Sequence, residues 1–293
     1  MSEVLVVGNV TKDVYLRLDN RLNKFEVDGE GVTWLDLAFD GSSHQFYARH
    51  SVFGGAAVTL EVLSRFGITA KIAGNKMGFA NGQLTEATDA IPEIYRYILS
   101  QDDNITYFGP SQQRAAKWQP PSDGIDWVFI DRSACVSREL AEEILSYLES
   151  APNIKLAFFA CKRAQMAAGE VHMCKLKERA DLIFTEVKNA ADCSEKCICI
   201  GRDYIQFGNE RVDWSLQERQ DMMTHLTTDS IIAASILGAT VLGKSAGESL
   251  LLARANVENA NLDGALNLNR LEEMVVGENY RVGKVEKKEE QND

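Results

Sequence analysis

No stretch of the chain approaches the roughly 20 consecutive apolar residues that a membrane-spanning helix requires, although 45% of its 293 residues are hydrophobic. A basic leader is missing too: Met1-Ser2-Glu3 runs directly into Val4-Leu5-Val6-Val7. The expectation is a cytoplasmic protein without a membrane partner. Dense basic clusters are absent before the C-terminal tail, and 31 Lys and Arg stand against 43 Asp and Glu, a formal charge of −12. Such a chain repels a polyphosphate backbone, which argues against nucleic acid as a partner. A small anion is not excluded, because backbone amides at one point suffice to hold it. The six cysteines lack the spacing of a disulfide framework, sit in apolar segments such as Phe158-Phe159-Ala160-Cys161, and read as reduced thiols. There is no internal repeat.

What the chain does contain is alternation. Val4 to Val7, ending at Gly8, suits a strand buried on both faces of a parallel sheet. From Trp127 onward strands and helices take turns: a strand at 127–130, a helix at 137–148, a strand at 154–160, a helix near 170–178 and a strand at 182–184. Segments 197–200 and 204–207 read as a hairpin. Ala56, Leu60, Leu63 and Phe66 have helical spacing after Phe53-Gly54-Gly55, with Gly67 as the stop. Thr228 is positioned to cap an apolar helix over 229–242, and Ser245-x-x-Glu248 has capping-box spacing for the next helix. Alternating patterns in Val14 to Leu18, Val32 to Phe39, Ile105 to Phe108 and Ala115 to Trp118 suggest half-exposed strands of a separate small sheet. The expected fold is α/β: a three-layer α/β/α sandwich with a mainly parallel central sheet over residues 1–277, and a small β-sheet lid inserted at about 13–50 and 104–119. Residues 278–293 are charged and without apolar period, as in a disordered tail.

Ligands of open α/β sheets gather at the carboxyl ends of strands. Three places there are candidates. Asp13, beyond Gly8, can accept hydrogen bonds from hydroxyls; read alone it is a surface turn residue. Gly54 and Gly55 allow close approach of backbone to a polyol or phosphate, although helix-to-sheet packing explains them equally well. Leu226, Thr227, Thr228 and Asp229 open the buried helix, where free amides attract an anion and Asp229 stands as general base for an attacking hydroxyl. Alone, an acid in a first turn merely stabilises the helix.

In order and spacing the chain resembles the ribokinase-like family, the phosphofructokinase-B type of carbohydrate kinase, over nearly all residues before the tail. Val4 to Asp13 resembles the family's first strand and substrate-contacting Asp. Phe53 to Gly67, ending Leu63-Ser64-Arg65-Phe66-Gly67, is similar to its first signature. Ala180 to Phe184 resembles the strand before its N-x-x-E motif, and Asp229 to Ala234 its Asp-Ala-Phe-Ala-Ala. Gly243-Lys244-Ser245 and Ala255-Asn256 fall where the pattern puts them. The resemblance implies transfer of the ATP γ-phosphate to a sugar or nucleoside hydroxyl, with Mg²⁺ and a β lid. It places Asp229 as base, Asp13, Gly54 and Gly55 at the substrate, Leu226 to Thr228 at the phosphates, and Gly201 and Asn256 beside the nucleotide.

The chain departs from that pattern at several points. D-T-x-G-A-G-D appears as Met223-Thr224-His225-Leu226-Thr227-Thr228-Asp229, so two glycines have become Leu226 and Thr228. An expected Asn is Val58. N-x-x-E appears as Thr185-Glu186-Val187-Lys188, with Glu186 the remaining metal candidate. A rival reading follows, a catalytically silent relative that binds a sugar or nucleotide or assembles with a partner; a homodimer through the lid is compatible with either. Cys193, Cys197 and Cys199, with Cys174 or His172, read as core residues rather than a metal site. His225, near the candidate site, reads as a turn residue before a ligand contact. Gly238 to Ser245 has Walker A spacing but follows a helix, and reads as a helix-to-helix turn.

Overall fold

Four consecutive apolar side chains in Val4 to Val7 can be satisfied in a strand only when both faces are covered, and all four are at most 1% exposed. The computed structural model describes residues 2–18, 26–27, 33–34, 46–73, 78–80, 83–85, 94–101, 104–108, 118–120, 124–160, 168–186, 195–201, 204–213, 225–259, 266–277 and 280–284. They form two compact units: one of residues 1–10, 54–92 and 112–293, the other of 11–53 and 93–111.

In chain order, β1 is Glu3–Val7, β2 Val10–Leu18, β3 Glu26–Val27, β4 Thr33–Trp34 and β5 Phe46–Gly55, followed by α1, Ala56–Arg65. Next come β6, Thr69–Ile72, β7, Gly78–Ala80, β8, Gln83–Thr85, β9, Ile94–Gln101, and β10, Asn104–Phe108. The second half runs β11, Trp127–Ile130, α2, Arg138–Ser150, β12, Lys155–Ala160, α3, Glu170–Arg179, β13, Leu182–Glu186, β14, Cys197–Ile200, β15, Tyr204–Phe207, and β16, Glu210–Asp213. It closes with α4, His225–Val241, α5, Ala246–Glu258, α6, Leu268–Gly277, and β17, Gly283–Lys284.

The main sheet of the first unit has eleven strands in the order β17-β16-β15-β14-β13-β12-β11-β1-β6-β7-β8. Its centre, from β6 to β14, is parallel, with Val4 opposite Trp127 and Ala70, and Phe158 opposite Ile130 and Ile183. Both ends continue antiparallel, through β7 and β8 on one side and β15 to β17 on the other. Helices cover both faces: α1, α4 and α5 pack side by side, and α2 packs with α3. Phe129, Phe159 and Phe184 meet in the core, two edge to face at 5.8 Å and two stacked at 6.1 Å between centroids. This is the α/β sandwich expected from the alternation. The second unit contains a four-stranded sheet, β10-β9-β2-β5, with β2 parallel to β9.

Local caps follow sequence. The Ser137 side chain accepts from the Leu140 amide at the start of α2, and that helix buries Leu140, Ala141, Ile144 and Leu148 on one stripe. The capping box of α5 is complete: Ser245 Oγ accepts from the Glu248 amide, and Glu248 accepts from the Ser245 amide at 2.8 Å. Gly243, at φ +76°, ends the α4 side of the turn, so the Walker-like spacing is a helix-to-helix turn.

Four expectations change. Helix α4 starts at His225, so Thr228 lies inside it and does not cap it; residues 225–228 continue the helical backbone ahead of the expected start at 229. Trp118 lies outside any strand, packing edge to face on Tyr147 of α2 instead. Residues 283–284, within the expected tail, add β17 to β16, where backbone pairing on an open edge needs no apolar pattern. Cys135 and Cys174 are free thiols, but buried Cys199 is disulfide-bonded. The spacing of the six cysteines did not reveal this bond.

Ser245→Ala removes the side chain that caps α5 and is expected to cost about 1 kcal/mol of unfolding free energy, measured by urea denaturation. Hydrogen bonds from the Ser245 amide and hydroxyl hold the Glu248 carboxyl below its ordinary 4.5. The native contribution is therefore complete above pH 4.5 and lost as pH falls through the lower folded value. The difference between native and variant should narrow on acidification.

Candidate functional site

The central strands diverge at one point. From β1 the chain passes through α1 to β6 on one side, whereas β11 adds on the other, so the carboxyl ends of β1 and β11 flank the crevice where open α/β sheets bind ligands.

A buried carboxyl organises that crevice. Asp131, 1% exposed, directly follows β11. Its Oδ2 accepts from the hydroxyl of Thr59 in α1 at 2.6 Å, and its Oδ1 accepts from the Ser133 amide at 2.7 Å and hydroxyl at 2.5 Å. Ser133 Oγ in turn accepts from the Asn9 amide at 3.1 Å, and Asn9 Nδ2 donates to the Ser133 carbonyl. The Asn9 carbonyl then accepts from the Ala56 amide at the start of α1. One turn thus joins β1, β11 and α1. At Gly8 a Cβ would lie 2.7 Å from Ser133 Oγ. At Gly55, which has φ +61°, it would lie 2.2 Å from the Asn9 carbonyl oxygen. The missing side chain at Gly55 thus makes room for the chain's own backbone, the packing explanation weighed for this glycine.

Arg132, between those two anchors, reaches across to α4 and forms an ion pair with Asp229. The guanidinium also lies over the Phe159 ring, 5.6 Å from its centroid. Both members of the pair are partly covered, Arg132 at 18% and Asp229 at 16% exposure, so a ligand can reach them while much of the solvent screening is removed. Asp229 sits in the second turn of α4. Leu226 and Thr227 occupy the first, where helical geometry leaves amides without a carbonyl four residues back. Thr228 is buried.

The switch point therefore brings Gly55 and Asp229 to one edge through the 131–133 turn. Gly201 lies elsewhere, past the end of β14, three strands from β11 or about 14 Å across the sheet. A Cβ there would meet the Tyr204 ring at 2.7 Å. Asn256 is fully buried in α5: its Oδ1 accepts from Arg65 at 2.6 Å, and its Nδ2 donates to Ser235 Oγ at 2.9 Å. Ser235 is six residues beyond Asp229, about 9 Å along the helix, so Asn256 ties α1, α4 and α5 together below the crevice. Val58, where the family pattern has Asn, is buried in α1. Asp13 lies within β2, opposite Arg96 of β9, in the second unit. Glu186 closes β13 opposite Ile200. The side chains of Asp13, Glu186, His225, Leu226 and Thr227, and all of Lys188, are outside the described residues. Among the described residues no group of three or more His, Cys, Asp or Glu is arranged to hold a metal.

Sequence reading missed Asp131, Arg132, Ser133, Thr59 and Asn9. A signal existed for the first three, a charged pair and a serine directly after the buried run Trp127 to Ile130.

No family model and no curated protein matches the sequence. Solved structures do match. A nucleoside kinase from Methanocaldococcus jannaschii, an archaeal member of the ribokinase family, superposes with a TM-score of 0.62 at 12% identity, covering 94% of this chain and 99% of that one. A Burkholderia thailandensis nucleoside kinase in complex with inosine gives 0.60 at 12% identity over 96% and 99%. An Arabidopsis thaliana ribokinase complexed with ribose and ATP gives 0.59 at 12% identity over 94% and 99%. The chain has the ribokinase-like fold.

Asp131→Ala leaves the Thr59 hydroxyl and Ser133 amide without their acceptor, and is expected to cost about 2–4 kcal/mol, read from the shift in urea midpoint. Gly55→Ala forces a Cβ against the Asn9 carbonyl at a positive φ, and should likewise destabilise, by roughly 1–3 kcal/mol.

Proposed function

We propose that the protein is an ATP-dependent kinase that phosphorylates a sugar or nucleoside hydroxyl, with Asp229 as general base. The observation that supports this reading is the position of Asp229, partly exposed at the carboxyl-edge switch point and held by Arg132. Arg132 constrains the Asp229 side chain and leaves carboxylate acceptor capacity for the acceptor hydroxyl. As that hydroxyl oxygen forms its bond to the γ-phosphorus, its proton passes to Asp229, and the bond from the γ-phosphorus to the bridging oxygen breaks to leave ADP.

The glycines that usually curl around phosphate are Leu226 and Thr228 here, so less of the stabilisation comes from a flexible loop. The first-turn amides of α4 remain, and the Arg132 guanidinium adds a cation beside the reacting groups. Asp13 and the Gly54-Gly55 turn serve the acceptor in this reading, and Gly201 the nucleotide. Asn256, with its amide engaged by Arg65 and Ser235, acts on the nucleotide side through helix packing. Magnesium needs only one or two protein carboxylates when it travels with ATP phosphates; Glu186 is the candidate, and the metal supplies charge neutralisation on the phosphates.

A second reading, a silent binding relative, is favoured by the same ion pair, since Arg132 already compensates the charge of Asp229, and by Lys188 in place of a metal-organising Glu. A homodimer through the lid, compatible with either reading, would appear as a doubled mass in solution.

ATP consumption with Mg²⁺ across a panel of sugars and nucleosides separates the two. The kinase reading predicts acceptor-dependent turnover that Asp229→Asn lowers by roughly 10²–10⁴-fold. Arg132→Ala should lower kcat by about 10²-fold with little change in acceptor KM. Absence of turnover with every acceptor, together with retained sugar or nucleotide binding, would establish the silent binder; a rise in kcat on Arg132→Ala would make Arg132 a brake.

A further inference from the structure

The far end of the sheet holds a cavity that the proposed reaction does not use. Strand β16 lies five strands from β11, about 24 Å across the sheet. There, β16, the second half of α5 and the segment leading into β17 line an open depression of about 590 Å³. Three guanidinium groups from these three elements line it, Arg211, Arg254 and Arg281, with Asp213 the one lining carboxylate. In a chain of net charge −12, that is a local inversion of sign.

Two of the arginines are held in place. Arg211 stacks over the Tyr204 ring at 4.0 Å and pairs with Asp213 at 2.5 Å. Arg254 lies over the Tyr280 ring at 4.3 Å, donates to the Asp213 carbonyl at 3.0 Å, and pairs with Glu258 at 2.9 Å. Such anchoring removes rotamer freedom before any ligand arrives, which reduces the entropy lost on binding. Arg281 is exposed and has no ion-pair partner among the described residues. It is the cation whose charge the fold leaves for something else.

We propose that this cavity binds a phosphate group, carried as a small soluble phosphate monoester, at a site separate from Asp229. Guanidinium forks match phosphate oxygens bidentately. The cavity exceeds what inorganic phosphate fills, and Tyr280 and Val282 in its wall suit an organic substituent. A concave site favours a soluble ligand over a headgroup in a membrane plane.

The test is calorimetric titration of the full-length protein with inorganic phosphate and with phenyl phosphate, alongside sedimentation with vesicles containing phosphatidic acid. The monoester should bind more tightly than inorganic phosphate, and vesicles should not sediment the protein. Arg281→Ala, which removes no ion pair or side-chain hydrogen bond among the described residues, should weaken monoester binding by at least about tenfold without moving the thermal midpoint; Asp229→Asn should leave it unchanged. Absence of monoester binding to the native protein overturns the proposal. So does unchanged affinity in Arg281→Ala, loss of binding in Asp229→Asn, or capture by vesicles equal to the soluble ligand.

Discussion

The carboxyl of Asp131 is the constraint on which the crevice depends. It is buried at the end of a central strand, and a buried polar group is tolerated only when its hydrogen bonds are made. Thr59 and Ser133 make them. In doing so they fix where α1 meets the sheet and how the chain turns after β11. The same turn leaves Gly8 and Gly55 no space for side chains, and it directs Arg132, the residue between Asp131 and Ser133, toward Asp229. Stability and placement of the candidate base therefore share one origin, and an exchange that loosens the turn should also misdirect Arg132.

The structure follows the ribokinase-like fold more closely than the sequence follows the family's motifs. The parallel centre, the carboxyl-edge switch point and an acid near the start of a buried helix are all present. The elements that soften around phosphate are not: Leu226 and Thr228 stand where the family pattern has glycine. Arg132 is a physically reasonable counterweight, because a guanidinium in a partly dry crevice stabilises developing negative charge without needing a glycine loop. In the proposed reaction it also holds the carboxylate that takes the proton.

Much of the fold was legible because its signals were local. The strands at 127–130 and 197–200 and the capping box at Ser245 appear in the structure as the sequence implied. Less was legible where the determinant lies across space. The hydrogen bonds of Asp131 span 72 residues to Thr59, and those of Ser133 span 124 to Asn9; no periodicity announces such partners. The short outer strands β7, β8, β16 and β17 escape notice for another reason. Edge pairing is carried by backbone groups, so their side chains need not alternate. For Gly201 and Asn256 the family pattern supplied places in the chain, while their immediate neighbours, Tyr204 in one case and Arg65 with Ser235 in the other, became visible only in the folded structure.

The proposed reaction requires the crevice between β1 and β11, beside the first turns of α4, to receive the phosphates of ATP. Amide hydrogen exchange on the native protein, with and without ATP and Mg²⁺, tests it most directly. Slower exchange on ATP binding is expected in residues 225–229 and 131–135. Protection confined to other parts of the sheet, or none at saturating ATP, would contradict it.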